Sequence, residues 1–226
     1  MRTRIMQYVT RLSWQSLTLF CVGYAPICAL CIALLGFVPL HLGAMFLVLP
    51  ALIVGVGVGV REPRWGRLAL VGLAAGILAT GVYDALRLGL VWLGLWRDFI
   101  PEIGRMALGN DQAHPAWGYL WRFVGNGGCL GLAFAVLPWR GARAGVIYGT
   151  LICGCLFLTI GLSPDAAERL FALSPVTMTG ALVGHWIYGS VLGWLTASWI
   201  PWDPGASRGT PSDWMMARAA LAGDRP

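Results

Sequence analysis

The stretch LGAMFLVLPALIVGVGVGV, from Leu42 to Val60, runs for 19 residues without one ionisable side chain. As a helix rising about 1.5 Å per residue it would reach roughly 28 Å, close to the thickness of a bilayer's hydrocarbon core. Five further stretches are comparably apolar and long: Trp14 to Phe37, Leu68 to Trp92, Trp117 to Leu137, Ala144 to Leu162 and Val176 to Ile200. In lipid each backbone N–H and C=O must be satisfied within its own segment, so the expected fold is all-α, a polytopic bundle of about six transmembrane helices.

Composition agrees. Of 226 residues, 58% are hydrophobic and 12% charged, far from the quarter-charged make-up of soluble domains, and mean hydropathy is +0.70. Too little polar sequence remains for a separate soluble catalytic domain. The expected organisation is an interfacial amphipathic segment over residues 1–13, a six-helix domain over 14–200 and a mostly disordered cytoplasmic tail over 201–226. In the first, Ile5, Met6, Val9 and Leu12 make an apolar stripe beside Arg2, Arg4 and Arg11, suited to an anionic leaflet surface. The apolar run that follows is too long for a signal-peptide core and reads as a retained first span. One short helix is expected in the tail after Ser212.

The net charge of +6 comes from 16 basic residues, all of them Arg. A lysine Schiff base and a Walker-type phosphate lysine are therefore excluded. The arginines are scattered through short connections rather than gathered on one soluble face, which speaks against nucleic acid as a partner. Eleven fall in the N-terminal segment, the even-numbered connections and the tail, and three in the odd-numbered connections. Because Arg-rich short loops stay inside, both termini are predicted to be cytoplasmic. Trp14, Trp92, Trp96, Trp117, Trp139, Trp199 and Trp202 sit near span ends, where an interfacial aromatic belt belongs.

Six GxxxG pairs recur in the spans: Gly55/Gly59, Gly72/Gly76, Gly127/Gly131, Gly145/Gly149, Gly180/Gly184 and Gly189/Gly193. Small residues four apart let helix backbones approach closely in lipid, so these pairs predict a compact bundle. Laying the fourth span on the sixth at an offset of 62 residues superposes Asn126-Gly127 on Tyr188-Gly189 and Leu130-Gly131 on Leu192-Gly193. A parallel duplication and shared glycine packing explain this equally well.

Ionisable groups within the hydrocarbon are costly and normally face the bundle interior. Span three carries Tyr83, Asp84 and Arg87, span four Arg122 and Asn126, and span six His185 and Tyr188. Helical spacing puts Asp84 and Arg87 within pairing distance. Counted from the span ends, Arg122 lies roughly 8 Å deep and Asn126 and His185 roughly 14 Å, with Asp84 in the outer half of its own span. One polar layer is predicted, open to the outside and carrying a formal charge of +1 with His185 neutral. Such a layer serves either as interhelical hydrogen-bond glue or as a site for an anionic ligand or lipid headgroup.

The remaining motifs are weak. His41 and His114 lie in connections on the same predicted side as His185, but only one His lies within a span, so no facing pair exists for a bis-histidine haem. No metal site and no cofactor are predicted. The six cysteines, including Cys28-x-x-Cys31 and Cys153-x-Cys155, all fall in apolar runs, where Cys packs as a small hydrophobe. Gly205 to Gly209 fits G-x-S-x-G but lies in a polar tail with no preceding strand. The glycines from Gly125 to Gly131 do not complete a dinucleotide fingerprint.

Through Ala79-Thr80-Gly81-Val82-Tyr83-Asp84-Ala85-Leu86-Arg87, Asn126-Gly127 and His185-Trp186-Ile187-Tyr188-Gly189, the chain resembles uncharacterised bacterial polytopic membrane proteins with AT-x-x-YD-x-x-R and H-x-x-[NY]G-like signatures. The resemblance covers roughly spans three to six and implies a multi-pass protein of the bacterial inner membrane. Where such a relative would carry His before the Asn-Gly pair, this chain has Phe123, with Arg122 alongside.

The expected function is that of an integral membrane protein without evident catalytic machinery: a subunit or assembly partner of a membrane complex, or a small protein that binds or transports a polar ligand or lipid. Its expected partners are membrane lipids and other membrane-protein subunits. The alternative is a membrane-embedded redox, metal- or haem-binding enzyme using His185 and the polar layer.

Overall fold

The computed structural model describes residues 13–200. The interfacial stripe over residues 1–12 and the tail from 201, with Trp202 and the helix expected after Ser212, lie outside the described residues. Within them the chain forms eight helices and no strand. The long ones are α1 (Trp14–Leu34), α2 (Leu40–Arg61), α3 (Pro63–Trp92), α5 (115–136), α6 (Ala142–Leu162) and α8 (Pro175–Trp199). Two short helices, α4 (Ile100–Leu108) and α7 (Pro164–Arg169), sit in connections that hydropathy alone left as loops. Four helices, α1, α2, α3 and α6, are long and apolar enough to cross a membrane.

Local sequence explains most ends. Ser13 caps α1 by accepting from Ser16 N at 3.2 Å, and Ser174 forms a reciprocal capping box with Thr177 at the start of α8. Proline occupies the first turn of α3, α4, α5, α7 and α8, where its missing N–H removes no helical bond. Inside α2, Pro50 follows a π-helical turn over Ala44–Val48; a proline cannot donate to the turn before it, and the ladder widens there. A second π segment, Trp121–Gly128, lies in the middle of α5 and carries Arg122 and Asn126.

Helix α3 is the hub, packed against α5 and α8, while α2 lies at the edge on α1 and α3. Two seams are built from glycine. On the first, Gly72 and Gly76 of α3 meet Gly127 and Gly131 of α5; on the second, Gly145 and Gly149 of α6 meet His185, Gly189 and Gly193 of α8. An added Cβ would collide with the facing backbone at each of these glycines except Gly127, where it would enter the Thr80 side chain, so they set the interhelical distance. The seams are analogous: Gly127 lies against Gly76 as Gly189 lies against Gly145, which matches the offset of 62 between the fourth and sixth long segments. Gly55 and Gly180 instead meet side chains, of Val22 and of Leu90 and Trp96.

The short helices close one end of the bundle. Gly104 of α4 crosses Gly118 of α5 at backbone contact, and Ser163 binds Leu34 O at 2.8 Å, joining the end of α1 to the start of α7. Trp14, Trp92, Trp117, Trp139 and Trp199 are exposed near helix ends. Trp96, expected in the same belt, is instead buried, its ring 4.9 Å from that of Phe171. The connection α3–α4 folds back over the bundle and carries the indole into the core of the cap.

Candidate functional site

Asp84 stands one turn before Arg87 on α3, and Arg87 Nε donates to Asp84 Oδ1 at 3.2 Å. Arg122 of α5 reaches the same oxygen with Nη2 at 2.8 Å and Nε at 3.1 Å. One carboxylate therefore binds two guanidiniums on two helices. Arg87 continues toward the cap, with Nη1 to Asp98 Oδ1 at 2.9 Å and Nη2 to Tyr119 Oη at 3.4 Å. Its side chain is 0% exposed, against 4% for Asp84 and 12% for Arg122. A guanidinium that deep must be fully paired, since an uncompensated charge in low dielectric costs several kcal/mol.

Asp98 was not legible as a partner. Lying 11 residues after Arg87, in the connection α3–α4, it brings the cluster of Asp84, Arg87, Arg122 and Asp98 to formal neutrality, where the three span residues gave +1. The same Oδ1 accepts from Ile100 N at 3.2 Å and so opens α4. The signal was local: an Asp two residues before Ile-Pro-Glu is a helix-start pattern.

Beside the ion pairs lies a second, less committed group. The Arg122 guanidinium sits 4.6 Å over the ring of Tyr83, and that ring meets His185 edge-on at 5.2 Å. Gly184 makes room for it, because a Cβ there would enter the tyrosine ring. His185 Nδ1 lies 2.7 Å from Ala181 O; a carbonyl only accepts, so Nδ1 carries the proton and Nε2 the lone pair. Arg122 directs Nε and Nη2 to Asp84, leaving Nη1 outside that pair. Asn126, one turn beyond Arg122, is 7% exposed, and its Oδ1 is buried without a hydrogen-bond partner among the described residues.

The predicted layer is thus brought together where α3, α5 and α8 meet. Asp84, Arg87 and Arg122 touch directly, and Tyr83 links Arg122 to His185. Tyr188 does something else: its hydroxyl donates to Gly127 O at 2.8 Å and ties α8 to α5. His41 and His114 join neither group; His114 pairs with Asn110 at 2.9 Å. All six cysteines are free thiols, and Cys31 Sγ accepts from Thr159 at 3.5 Å. No group of three His, Cys, Asp or Glu among the described residues is placed to hold a metal ion.

The cap repeats the motif at the surface. Glu102 of α4 receives Arg105 Nε at 2.8 Å and, at 3.5 Å, Arg169 Nη1 from α7. The Arg105 hydrogen bonds hold the Glu102 carboxyl below the usual carboxylate range, and Glu102 in turn raises Arg105. Two cavities adjoin here, of about 310 and 570 Å³, sharing Arg105 and Arg169 as a common wall. Neither is lined by Asp84, Arg87, Arg122 or His185.

No protein-family model, curated protein or solved structure matches this chain.

Proposed function

We propose that the chain is a multi-pass protein of the bacterial inner membrane, with six spans and both termini cytoplasmic, that binds a small polar ligand within the bilayer and is not an enzyme. In this reading Asp84, Arg87 and Asp98 hold α3, α5 and the cap in place. Arg122, Tyr83, Asn126 and His185 face the ligand, and Tyr188 fixes α8 beside them. The carrying observation is Asn126: an amide more than nine-tenths buried, on a π-helical turn, with its carbonyl unpaired. Leaving a buried polar group without a partner costs about 1–3 kcal/mol, and π turns occur frequently at functional sites. Arg122 Nη1 and His185 Nε2 add a cationic donor and a neutral acceptor, so the ligand carries both an acceptor and a donor.

The test is Asn126→Leu, which keeps the branched shape and removes the unpaired group. Under the proposal the variant folds in mild detergent and loses a small molecule that mass spectrometry finds with the wild type. A variant more stable than wild type, with the same molecules retained, would overturn it. Topology is checked separately: reporter fusions after Val60, Leu137 and Ile200 are expected to read as cytoplasmic, and those after Val38, Trp96 and Leu162 as external. An external signal after Ile200 removes the six-span arrangement.

The Nε2 lone pair of His185 also favours a second reading, a membrane-embedded redox or haem protein, since a metal-binding His characteristically donates its other nitrogen to a carbonyl. A Soret band or stoichiometric metal in the purified protein would select it.

A further inference from the structure

The two cap cavities have an unusual lining. The smaller one has a floor of Ala33, Leu40 and Met106, contributed by the end of α1, the start of α2 and α4. Its rim carries Arg105, Arg169 and Asp111. Across the arginine wall, the larger cavity is lined by six charged residues, three Arg and three carboxylates, Glu102, Asp165 and Glu168 among them. Charge in the larger cavity is therefore balanced: Glu102 is engaged by Arg105 and Arg169, whereas Asp165 and Glu168 make no side-chain ion pair among the described residues.

The arginines retain donors. Arg105 directs Nε and Nη2 to Glu102, and Arg169 gives Glu102 only Nη1, so Arg105 Nη1 and two nitrogens of Arg169 have no partner among the described residues. Both side chains are about one-third exposed, at 32% and 38%. Arg97 donates to the backbone carbonyl of Glu168 rather than to its carboxylate, which leaves that carboxylate open to a cation. Paired guanidiniums match the geometry of a phosphate, and the carboxylates that line the same two cavities match an ammonium. Asp111, Asp165 and Glu168 repel a bare anion, and in a zwitterion the attraction of the same carboxylates for the cationic group offsets that repulsion. The apolar floor continues into the ends of α1 and α2, two helices apolar enough to cross a membrane.

We propose that this double cavity binds the headgroup of a phosphodiester bearing a primary amine, with the phosphate between Arg105 and Arg169 and the ammonium at the neighbouring carboxylates. The source is either a membrane phospholipid, whose glycerol end would lie on the Ala33–Leu40–Met106 floor, or the corresponding water-soluble diester. The site is separate from the Asp84 cluster and does not depend on the reading given to it.

The experiment is native mass spectrometry of the full chain in detergent, with phosphatidylethanolamine, phosphatidylcholine and phosphatidylglycerol offered in equal amounts, and glycerophosphoethanolamine in a separate titration. The expected result is retention of phosphatidylethanolamine over both competitors. Phosphatidylcholine presents no N–H to the carboxylates, and phosphatidylglycerol brings no cation. The double substitution Arg105→Gln with Arg169→Gln should weaken retention at least about tenfold, the factor that 1.4 kcal/mol of lost charged hydrogen bonding provides. Asp111→Asn should reduce the preference over phosphatidylcholine while leaving the fold intact. Binding of glycerophosphoethanolamine as tight as that of the lipid identifies the soluble diester as the ligand; weaker binding identifies the lipid. Equal retention of the three lipids by the wild type, or unchanged retention in the folded double variant, overturns the proposal.

Discussion

Asp84 and Glu102 do the same thing in two environments. Each is a carboxylate paired with an Arg three residues on, Arg87 or Arg105, and with a second Arg from a distant helix, Arg122 or Arg169. Around Asp84 the partners are 0% and 12% exposed; around Glu102 they are 32% and 38%. Burial changes what the motif is for. In the core, desolvated charges tolerate no missing partner, so the cluster fixes α3 against α5 and leaves little of itself free. At the surface, water screens the same arrangement, its net contribution to stability is small, and its spare donors are open to a ligand.

The sharpest way to break this comparison is Asp84→Ala. It leaves two buried guanidiniums short of a partner and should destabilise by about 3–5 kcal/mol. The double variants Asp84→Ala with Arg87→Ala, or with Arg122→Ala, should recover part of that loss, because the unpaired charge goes too. Thermal unfolding in detergent measures the cycle; doubles no more stable than Asp84→Ala alone would mean that the pairs are not coupled.

Next in size comes Gly127→Leu, which adds bulk to the α3–α5 seam without touching a charge. Overpacking typically costs about 1–3 kcal/mol, and the Asp84–Arg122 pair spans the same two helices. Wild-type melting of this variant would place Gly127 away from a helix contact. Gly189→Leu, on the α6–α8 seam, is expected to cost a similar amount.

Glu102→Ala should cost less than about 1 kcal/mol, the range of exposed pairs, and added salt should shrink the difference. A cost equal to that of Asp84→Ala would abolish the contrast between core and cap.

The smallest effect expected is pH dependence at Glu102. Its carboxyl is held below the usual range by Arg105, so the folded state favours the ionised form. That stabilisation is fully present above the ordinary carboxylate pKa and is lost as pH falls through the lowered value. Melting curves of wild type and Glu102→Gln should accordingly differ at neutral pH and converge in acid. A gap that widens on acidification would reverse the sign and remove the pairing as its cause.

Much of this molecule could be read from the chain. Apolar run length places all six long helices within a few residues of their ends, because a long continuous apolar run bounded by polar or turn residues marks one buried helical segment. GxxxG spacing marks the two seams, and helical periodicity puts Asp84 with Arg87. Depth counting brings Arg122 and His185 to the level of Asp84, since the rise per residue of a helix is fixed.

Tertiary structure decided what lies between elements. Asp98 neutralises Arg87 only because the connection α3–α4 folds back over the bundle, and Trp96 leaves the aromatic belt for the cap core by the same fold-back. Helix α4 is short and amphipathic and α7 short and polar, so no long hydropathy run betrays them; packing against α5 and α6 stabilises them. The π turn of α5 that carries Asn126 is likewise invisible to a periodicity count that assumes one helical pitch. Sequence fixes which segments are helical, since that depends on neighbours along the chain. The partner of each charge, and whether it is buried, depends on which helices meet, and that follows from the packing of the whole.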